Sequence, residues 1–135
     1  MIFITIGCSG GGGLPDASFE WFNLGPKEIW VTDVVGIPMQ ASPGRLTPSR
    51  GEDELESTSS SFAEMVRLDD RIEIKWKENE ANNWPHGLYE PDNPPGIKHE
   101  AEFMRTNFGM PAKLISGKIR FTYLGDDKWR IKYFE

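Results

Sequence analysis

Residues 117–135, GKIRFTYLGDDKWRIKYFE, contain two runs in which apolar side chains alternate with charged or polar ones. A period of two places every second side chain on the same face of a β-strand. The Gly125-Asp126-Asp127 sequence between the two runs is typical of a tight turn. The pattern therefore predicts a β-hairpin whose buried face carries Ile119, Phe121 and Tyr123 on one arm and Trp129, Ile131 and Tyr133 on the other.

Three other segments also predict strands. Residues 71–77, RIEIKWK, alternate strictly, with Ile72, Ile74 and Trp76 on the apolar face. Residues 28–35, EIWVTDVV, are rich in β-branched and aromatic residues, which favours a strand. Gly25-Pro26 before the segment and Gly36 after it mark its ends, and we expect a central strand. Residues 62–68, FAEMVRL, read as a further strand with Phe62, Val66 and Leu68 on one face.

The intervening segments are predicted to be irregular. Residues 39–61 and 78–96 are rich in Ser, Pro, Gly or Asn, which favours loops. Within residues 97–108, apolar side chains at Ile97, Ala101, Met104 and Phe108 have helical spacing and predict a short amphipathic helix. The expected fold is mainly β: a small antiparallel sandwich, immunoglobulin-like in outline, or an α+β sheet if that helix forms.

Composition limits the function classes. The 135 residues suffice for one domain, and 15 basic against 21 acidic residues give a formal net charge of -6. A net acidic chain lacks the basic field that general nucleic-acid binding requires, so no nucleic-acid partner is expected. The single Cys excludes an internal disulfide and the usual thiolate zinc sites, and no other metal-ligand spacing is present. We therefore expect neither a metal nor a cofactor.

The N-terminal residues have a distinctive order. Five of residues 1–6, MIFITI, are apolar, and Gly7 and the lone Cys8 follow them. After Ser9 come four consecutive glycines, Gly10 to Gly13, and a glycine-rich chain behaves as a flexible tether. Residues 1–7 are interpreted as a short signal segment, residues 8–18 as a tether and residues 19–135 as one β domain.

Thr5-Ile6-Gly7-Cys8 resembles the lipobox of bacterial lipoproteins, in which a small residue precedes an invariant cysteine. The resemblance implies that the Cys8 thiol receives diacylglycerol and becomes the acylated N-terminus. Thr5 stands where the family usually carries Leu, and no basic residue precedes the apolar run, which leaves a start upstream of Met1 open. The alternative is an ordinary N-terminal strand with Cys8 as a small buried side chain.

Three residues on the 83–91 loop, Trp84, His86 and Tyr89, are the candidate partner-binding residues. Pro85 and Pro91 stiffen this loop, and rigid aromatic loops give large contact area at low entropic cost. Trp84 has an alternative role as a cap on the sandwich core. His86 and His99 are interpreted as exposed loop residues, and no catalytic residue is assigned.

Two charged groups of residues have alternative interpretations. The outward side chains of the hairpin, Lys118, Arg120, Lys128, Arg130 and Lys132, form a basic stripe. This stripe either protects a sheet edge from aggregation or contacts anionic lipid or an acidic partner. The acidic residues Glu52, Asp53, Glu54 and Glu56 are expected to form a solvated surface, with a weak calcium site as the alternative.

In size, leader and aromatic strands such as residues 72–76, IEIKW, the chain is also similar to small envelope lipoproteins found beside secreted lipase effectors, some of which are immunity proteins. That resemblance implies a lipid-anchored binding domain without catalysis, held at the outer membrane or periplasmic face of a bacterial envelope. Its partners would be the membrane, through lipid at Cys8, and a protein. The alternatives are a structural lipoprotein and a small hydrolase.

Overall fold

The computed structural model describes residues 16–84 and 94–135. In these ranges the chain forms ten strands: β1 (Ala17–Asn23), β2 (Ile29–Val35), β3 (Arg45–Leu46), β4 (Thr58–Phe62), β5 (Val66–Arg67), β6 (Arg71–Glu78), β7 (Lys98–Met104), β8 (Lys113–Leu114), β9 (Gly117–Gly125) and β10 (Lys128–Phe134). Three short 3-10 helices cover Met39–Ala41, Glu54–Glu56 and Arg105–Phe108. The predicted loop over residues 83–91 lies mostly outside the described residues.

The strands form a small β-sandwich, which confirms the predicted fold class. The first sheet has the order β10-β9-β1-β4, the second has the order β3-β2-β6-β7, and β5 pairs with β8 beside them. All pairings are antiparallel except that of β1 with β9, which runs in parallel from Ala17 opposite Gly117 to Asn23 opposite Tyr123. β1 includes Ala17 and Ser18, the last two residues of the predicted tether.

The core lies between the inner faces of the two sheets. Alternate side chains of β1 and β9 face alternate side chains of β2 and β6, as the period of two requires. Trp129 contacts rings of both sheets, with centroid distances of 5.8 Å to Trp21 and 5.4 Å to Trp76. The core residues with no exposed surface are Ala17, Phe19, Trp21, Ile29, Ile72, Ile74, Trp76, Leu114, Ile119 and Phe121.

The predicted hairpin and two of the predicted strands are confirmed. In the hairpin, Tyr123, Phe121 and Ile119 lie opposite Trp129, Ile131 and Tyr133. The turn residues Asp126 and Asp127 have positive φ values of 52° and 60°, which a tight two-residue hairpin turn requires. β6 buries Ile72, Ile74 and Trp76 as predicted, and β2 is an interior strand of its sheet.

The predicted helix over residues 97–108 is wrong. The segment forms β7 and a 3-10 helix, because its alternate side chains His99, Ala101 and Phe103 lie opposite Trp76, Ile74 and Ile72 of β6. Ile97 and Met104, two of the four residues that suggest a helical face, are exposed. Pairing with β6 therefore overrides the local helical spacing.

Two segments of the 39–68 region also differ from expectation. β4 lies in the serine-rich stretch of the predicted loop, and it forms because β1 supplies the hydrogen-bonding partner. The predicted strand over residues 62–68 is broken: Phe62 ends β4, and β5 contains only Val66 and Arg67. Val66 and Leu68 are nevertheless buried, as their pattern predicts.

Candidate functional site

The sequence-predicted binding residues are only partly described. Cys8, His86 and Tyr89 lie outside the described residues. Trp84 is 3% exposed, and its Nε1 atom donates a hydrogen bond to the carbonyl of Pro95 at 3.2 Å. Trp84 therefore has a packing role in this structure and offers little surface to a partner.

The prediction that His99 is an exposed loop residue is wrong. His99 lies on the edge strand β7, its side chain is 23% exposed, and its ring is stacked on Trp76 with centroids 5.7 Å apart. Its Nδ1 atom is 2.9 Å from Oδ1 of Asp127. This contact links the edge strand β7 to the hairpin turn.

A concave groove lies at the end of the sandwich where β1 begins and β2 ends. Two chain segments line this end groove, one running from Gly36 to Gln40 and the other from Ser61 to Asp69, and the groove between them is open to solvent, with a volume of about 890 Å³. Ile37 and Val66 form its buried floor, while Met65 is 42% exposed in its wall. The lining is mainly apolar, which is the usual character of a binding cleft.

Gly36 fixes one wall of the end groove. Its φ of +94° is a backbone conformation that residues with a Cβ rarely adopt, and a Cβ at this position would lie 2.4 Å from the carbonyl oxygen of Arg71. The Gly36 carbonyl accepts a hydrogen bond from the backbone N–H of Asp69 at 2.9 Å. This bond ties the two lining segments together, so the shape of the groove depends on the glycine.

Charged side chains stand at the rim of the end groove. Glu64, Arg67 and Asp69 are exposed members of its lining. Two carboxylates and one guanidinium leave the rim acidic, on a chain whose formal net charge is -6. The groove therefore combines an apolar floor with a negative rim.

The outer face of the first sheet carries the second notable surface. Strand register places Ser18, Lys118 and Phe134 in one row across this face, and Glu20, Arg120 and Lys132 in the next. Arg130 lies opposite Thr122 in the following row. We call the four cationic side chains of these rows, Lys118, Arg120, Arg130 and Lys132, the basic face; Lys128 lies apart, at a register shift beside the turn.

Glu20 holds two of the cations in place. It is 4% exposed, its Oε2 atom is 3.2 Å from Nζ of Lys118, and its Oε1 atom accepts a hydrogen bond from Nε of Arg120 at 3.0 Å. The Arg120 guanidinium also lies over the rings of Phe22 and Phe134, 5.4 and 4.8 Å from their centroids. These contacts hold the Arg120 guanidinium in place. Because β9 is an interior strand, Arg120 does not protect a sheet edge from aggregation.

Glu52 is not part of a solvated acidic surface, contrary to the expectation from the sequence. Its segment crosses the outer face of the first sheet, where Oε2 accepts a hydrogen bond from the Thr122 hydroxyl and Oε1 is 2.9 Å from Nη2 of Arg130. Burial raises the pKa of Glu52, but the bonds from Thr122 and Arg130 and the nearby positive charges outweigh burial and hold that pKa below its ordinary value. Glu52 therefore stays ionised and neutralises part of the basic face.

The alternative of calcium at the acidic segment finds little support in the part of the chain that the structure describes. No group of three or more His, Cys, Asp or Glu side chains there is arranged to hold a metal ion. The Asp53 side chain accepts a hydrogen bond from the backbone N–H of Leu55 at 3.0 Å, and the Glu56 carboxylate is 3.9 Å from the Arg50 guanidinium.

Within residues 16–84 and 94–135, no helix has the length and apolar character needed to cross a membrane.

Sequence reasoning finds the basic face but misses the end groove and the role of Glu52. The groove brings together two segments that share no local motif, and the partners of Glu52 lie far along the chain at Thr122 and Arg130.

Comparison with protein-family models, curated proteins and solved structures found no match. The candidate sites therefore stand on the geometry of this chain alone.

Proposed function

We propose that the chain is a lipid-anchored binding module of the bacterial envelope, which holds a protein partner in the end groove and catalyses no reaction. The anchor is the Cys8 thiol, as the likeness of residues 5–8 to a lipobox implies. The partner is a secreted protein, and binding inhibits it, as in the immunity lipoproteins that the sequence resembles. The single observation that carries the binding role is the apolar end groove.

The end groove supports a protein segment as its occupant. Met65 lines the groove and is exposed, and two further exposed apolar residues, Val35 and Met39, are sequence neighbours of lining residues. Contiguous apolar surface around a concavity is characteristic of interaction sites in single domains. A partner segment that inserts apolar side chains would remove this surface from water and gain the corresponding hydrophobic stabilisation.

The rim charges define the chemistry of that segment further. Glu64 and Asp69 give the rim an excess of negative charge over Arg67. Complementary charge speeds association and selects among partners. The occupant is accordingly an apolar segment flanked by Lys or Arg.

The anchor is tested by the mass and location of the protein in a bacterial host with a lipoprotein pathway. We expect the wild type in the membrane fraction, with a mass that corresponds to a chain beginning at Cys8 plus its acyl groups. Because no other cysteine is available, Cys8→Ser should move the protein to the soluble envelope fraction. A wild-type mass with Met1 retained and a free thiol would contradict the anchor.

The end groove is tested with a displayed library of random peptides selected on the purified chain. We expect enriched peptides with apolar residues flanked by Lys or Arg, and we expect Met65→Glu to weaken their binding at least about tenfold, because a charge would enter the apolar wall. Leu55→Glu is the matched control, since Leu55 is 93% exposed and is not part of the groove lining.

Two results would contradict the groove as the binding site. One is a failure to enrich any peptide on a chain whose unfolding transition shows that it is folded. The other is enrichment of peptides that bind Met65→Glu and the wild type equally. Lys or Arg flanks that prove unnecessary would contradict the role of the rim charges.

A further inference from the structure

We propose that the partner segment binds as an extended strand, which pairs with the free edge of β4 and continues into the end groove. The inference rests on the proposed function, because it describes how the same groove holds its protein partner. It commits to one occupant: an extended protein segment with apolar side chains at alternate positions and Lys or Arg at its ends. A second copy of this chain and the chain's own residues 1–7 are different occupants, and the test below distinguishes them.

Position is the first argument. β4 ends at Phe62, and the chain continues directly into the lining of the end groove. Ser61 and Phe62, the last two residues of β4, are themselves part of that lining. A segment that pairs with β4 therefore reaches the groove at the end of the strand.

The free edge of β4 is the second argument. β4 is the outermost strand of the first sheet and pairs with β1 on one side. Within the described residues, no backbone hydrogen bond joins Thr58–Phe62 to a segment other than β1. The Ser60 hydroxyl donates a hydrogen bond to the carbonyl of Gln40 at 3.3 Å, but this bond uses a side chain of the strand and not its backbone. Unpaired backbone groups along an edge are a template for another strand.

β4 also lacks the features that usually prevent strand addition. Its sequence, TSSSF, has no charged residue and no proline, and its register with β1 is unbroken over five residues. The other edges of the two four-stranded sheets are protected: β10 carries three cations and a register shift, β7 carries one lysine and two carboxylates, and β3 is two residues long. Charges, bulges and short length all discourage pairing at an edge. Among these four edges, β4 is therefore the one that accepts a strand most readily.

The dimensions of β4 define the occupant. Its five residues give an edge about 17 Å long, which matches an extended segment of the same length. Strand addition gains affinity from main-chain hydrogen bonds and specificity from pockets that hold alternate side chains. The end groove, with Ile37 and Val66 on its floor, is a pocket of this kind at the end of the edge.

Charge favours a basic foreign segment over a second copy. Glu64 and Asp69 outnumber Arg67 at the rim of the end groove. Two copies of a chain with a formal net charge of -6 repel one another, whereas Lys or Arg at the ends of a partner segment are attracted.

The test uses the tightest-binding peptide from the library selected on the purified chain. The peptide is synthesised again with a single backbone N-methyl group at each position in turn, which replaces one N–H donor by a methyl group. Alternate N–H groups of an extended strand point towards its neighbour. We therefore expect binding to fall at least about tenfold at every second position and to change little at the positions between them. A helical or irregular peptide would not give a period of two.

Ser59→Pro and Ser60→Pro are a matched pair of variants. Adjacent residues of a strand direct their N–H groups to opposite sides, so one substitution removes a bond to β1 and the other removes an N–H of the free edge. The first should be less stable than the wild type. The second should keep the wild-type unfolding transition and bind the peptide about fivefold more weakly.

Amide hydrogen exchange gives a readout that does not depend on a variant that folds. The peptide should slow the exchange of the outward amides of β4, in Thr58–Phe62. The amides of the other long edge strand of the sandwich that bears carboxylates, β7, should exchange at the same rate with and without peptide.

Loss of binding without a period of two, or unchanged exchange in β4, would overturn the proposal. Self-association of the purified chain that the free-edge proline variant abolishes would assign the edge to a second copy instead. Slower exchange of β4 in the peptide-free chain from Met1 than in the chain from Cys8 would assign it to residues 1–7. Either assignment also overturns the proposal.

Failure of this inference and failure of the proposed groove give different results. A peptide that loses affinity for Met65→Glu but shows no period of two would leave the groove in place and remove the added strand. A peptide that shows the period of two but binds Met65→Glu and the wild type equally would do the reverse. A library from which no peptide is enriched would contradict both.

Discussion

Replacing Trp21 with alanine is expected to lower the free energy of unfolding by about 4 kcal/mol, because truncating a buried Trp leaves a cavity that the core fills only partly. The indole is fully buried and stacked on Phe121, with centroids 4.2 Å apart. Its Nε1 atom donates a hydrogen bond to the carbonyl of Ala41 at 2.8 Å. Equilibrium urea unfolding would measure the change, with the slope of the transition unaltered.

Trp21→Phe is the matched control for that substitution. It keeps an aromatic ring against Phe121 but removes the N–H that the Ala41 carbonyl accepts, so its expected effect is smaller, about 1 to 2 kcal/mol. A loss below about 2 kcal/mol for Trp21→Ala would contradict the assigned core position. Ala41 follows the Gly36 to Gln40 segment, so the indole also joins the core to one wall of the end groove.

The hairpin and β6 could be predicted because their signals are local. In both segments a period of two runs for several residues, and in the hairpin the turn residues fix the register. Trp129, Ile131 and Tyr133 therefore meet Tyr123, Phe121 and Ile119 as the sequence indicates. Nothing beyond the segment itself was needed to find its buried face.

β7, β4 and β1 were harder to predict because distant partners define them. Residues 98–104 become a strand when β6 pairs with them, and the serines of β4 have little strand preference apart from their pairing with β1. In β1, Phe22 breaks the apolar alternation because it is buried on the outer face, beneath Arg120. The local pattern of β1 therefore gives no clear strand signal.

The candidate sites show the same division between local and distant signals. The basic face was visible in the sequence because Lys118, Arg120, Arg130 and Lys132 alternate with apolar residues in one hairpin. The end groove and the Glu52 contacts require segments that meet only in the fold. A run of acidic residues has no local feature that distinguishes a member paired with Arg130 from one that is solvated.

Gly36→Ala is expected to lower the free energy of unfolding by about 3 kcal/mol, since it combines backbone strain with a steric clash. The φ of +94° disfavours any residue with a Cβ, and the new methyl group would lie 2.4 Å from the carbonyl oxygen of Arg71, at the start of β6. To relieve that clash the backbone at residue 36 must move, and its carbonyl is the group that accepts the hydrogen bond from the N–H of Asp69. Peptides selected on the wild-type end groove should therefore bind the folded variant more weakly.

Two other glycines separate the causes of this effect. Gly109 has a φ of +71°, and no atom lies within 4 Å of the position that a methyl group would take, so Gly109→Ala should cost only the conformational strain, about 1 to 2 kcal/mol. Gly51 has open space and no positive φ, so Gly51→Ala should leave stability unchanged or raise it slightly. Urea unfolding of the three variants should give the order Gly36, Gly109, Gly51 from most to least destabilised. If Gly36→Ala and Gly109→Ala lose the same free energy of unfolding, the backbone near Arg71 moves away from the new methyl group at no cost. The wall of the end groove would then not be rigid, which would contradict the role given to the hydrogen bond between Gly36 and Asp69.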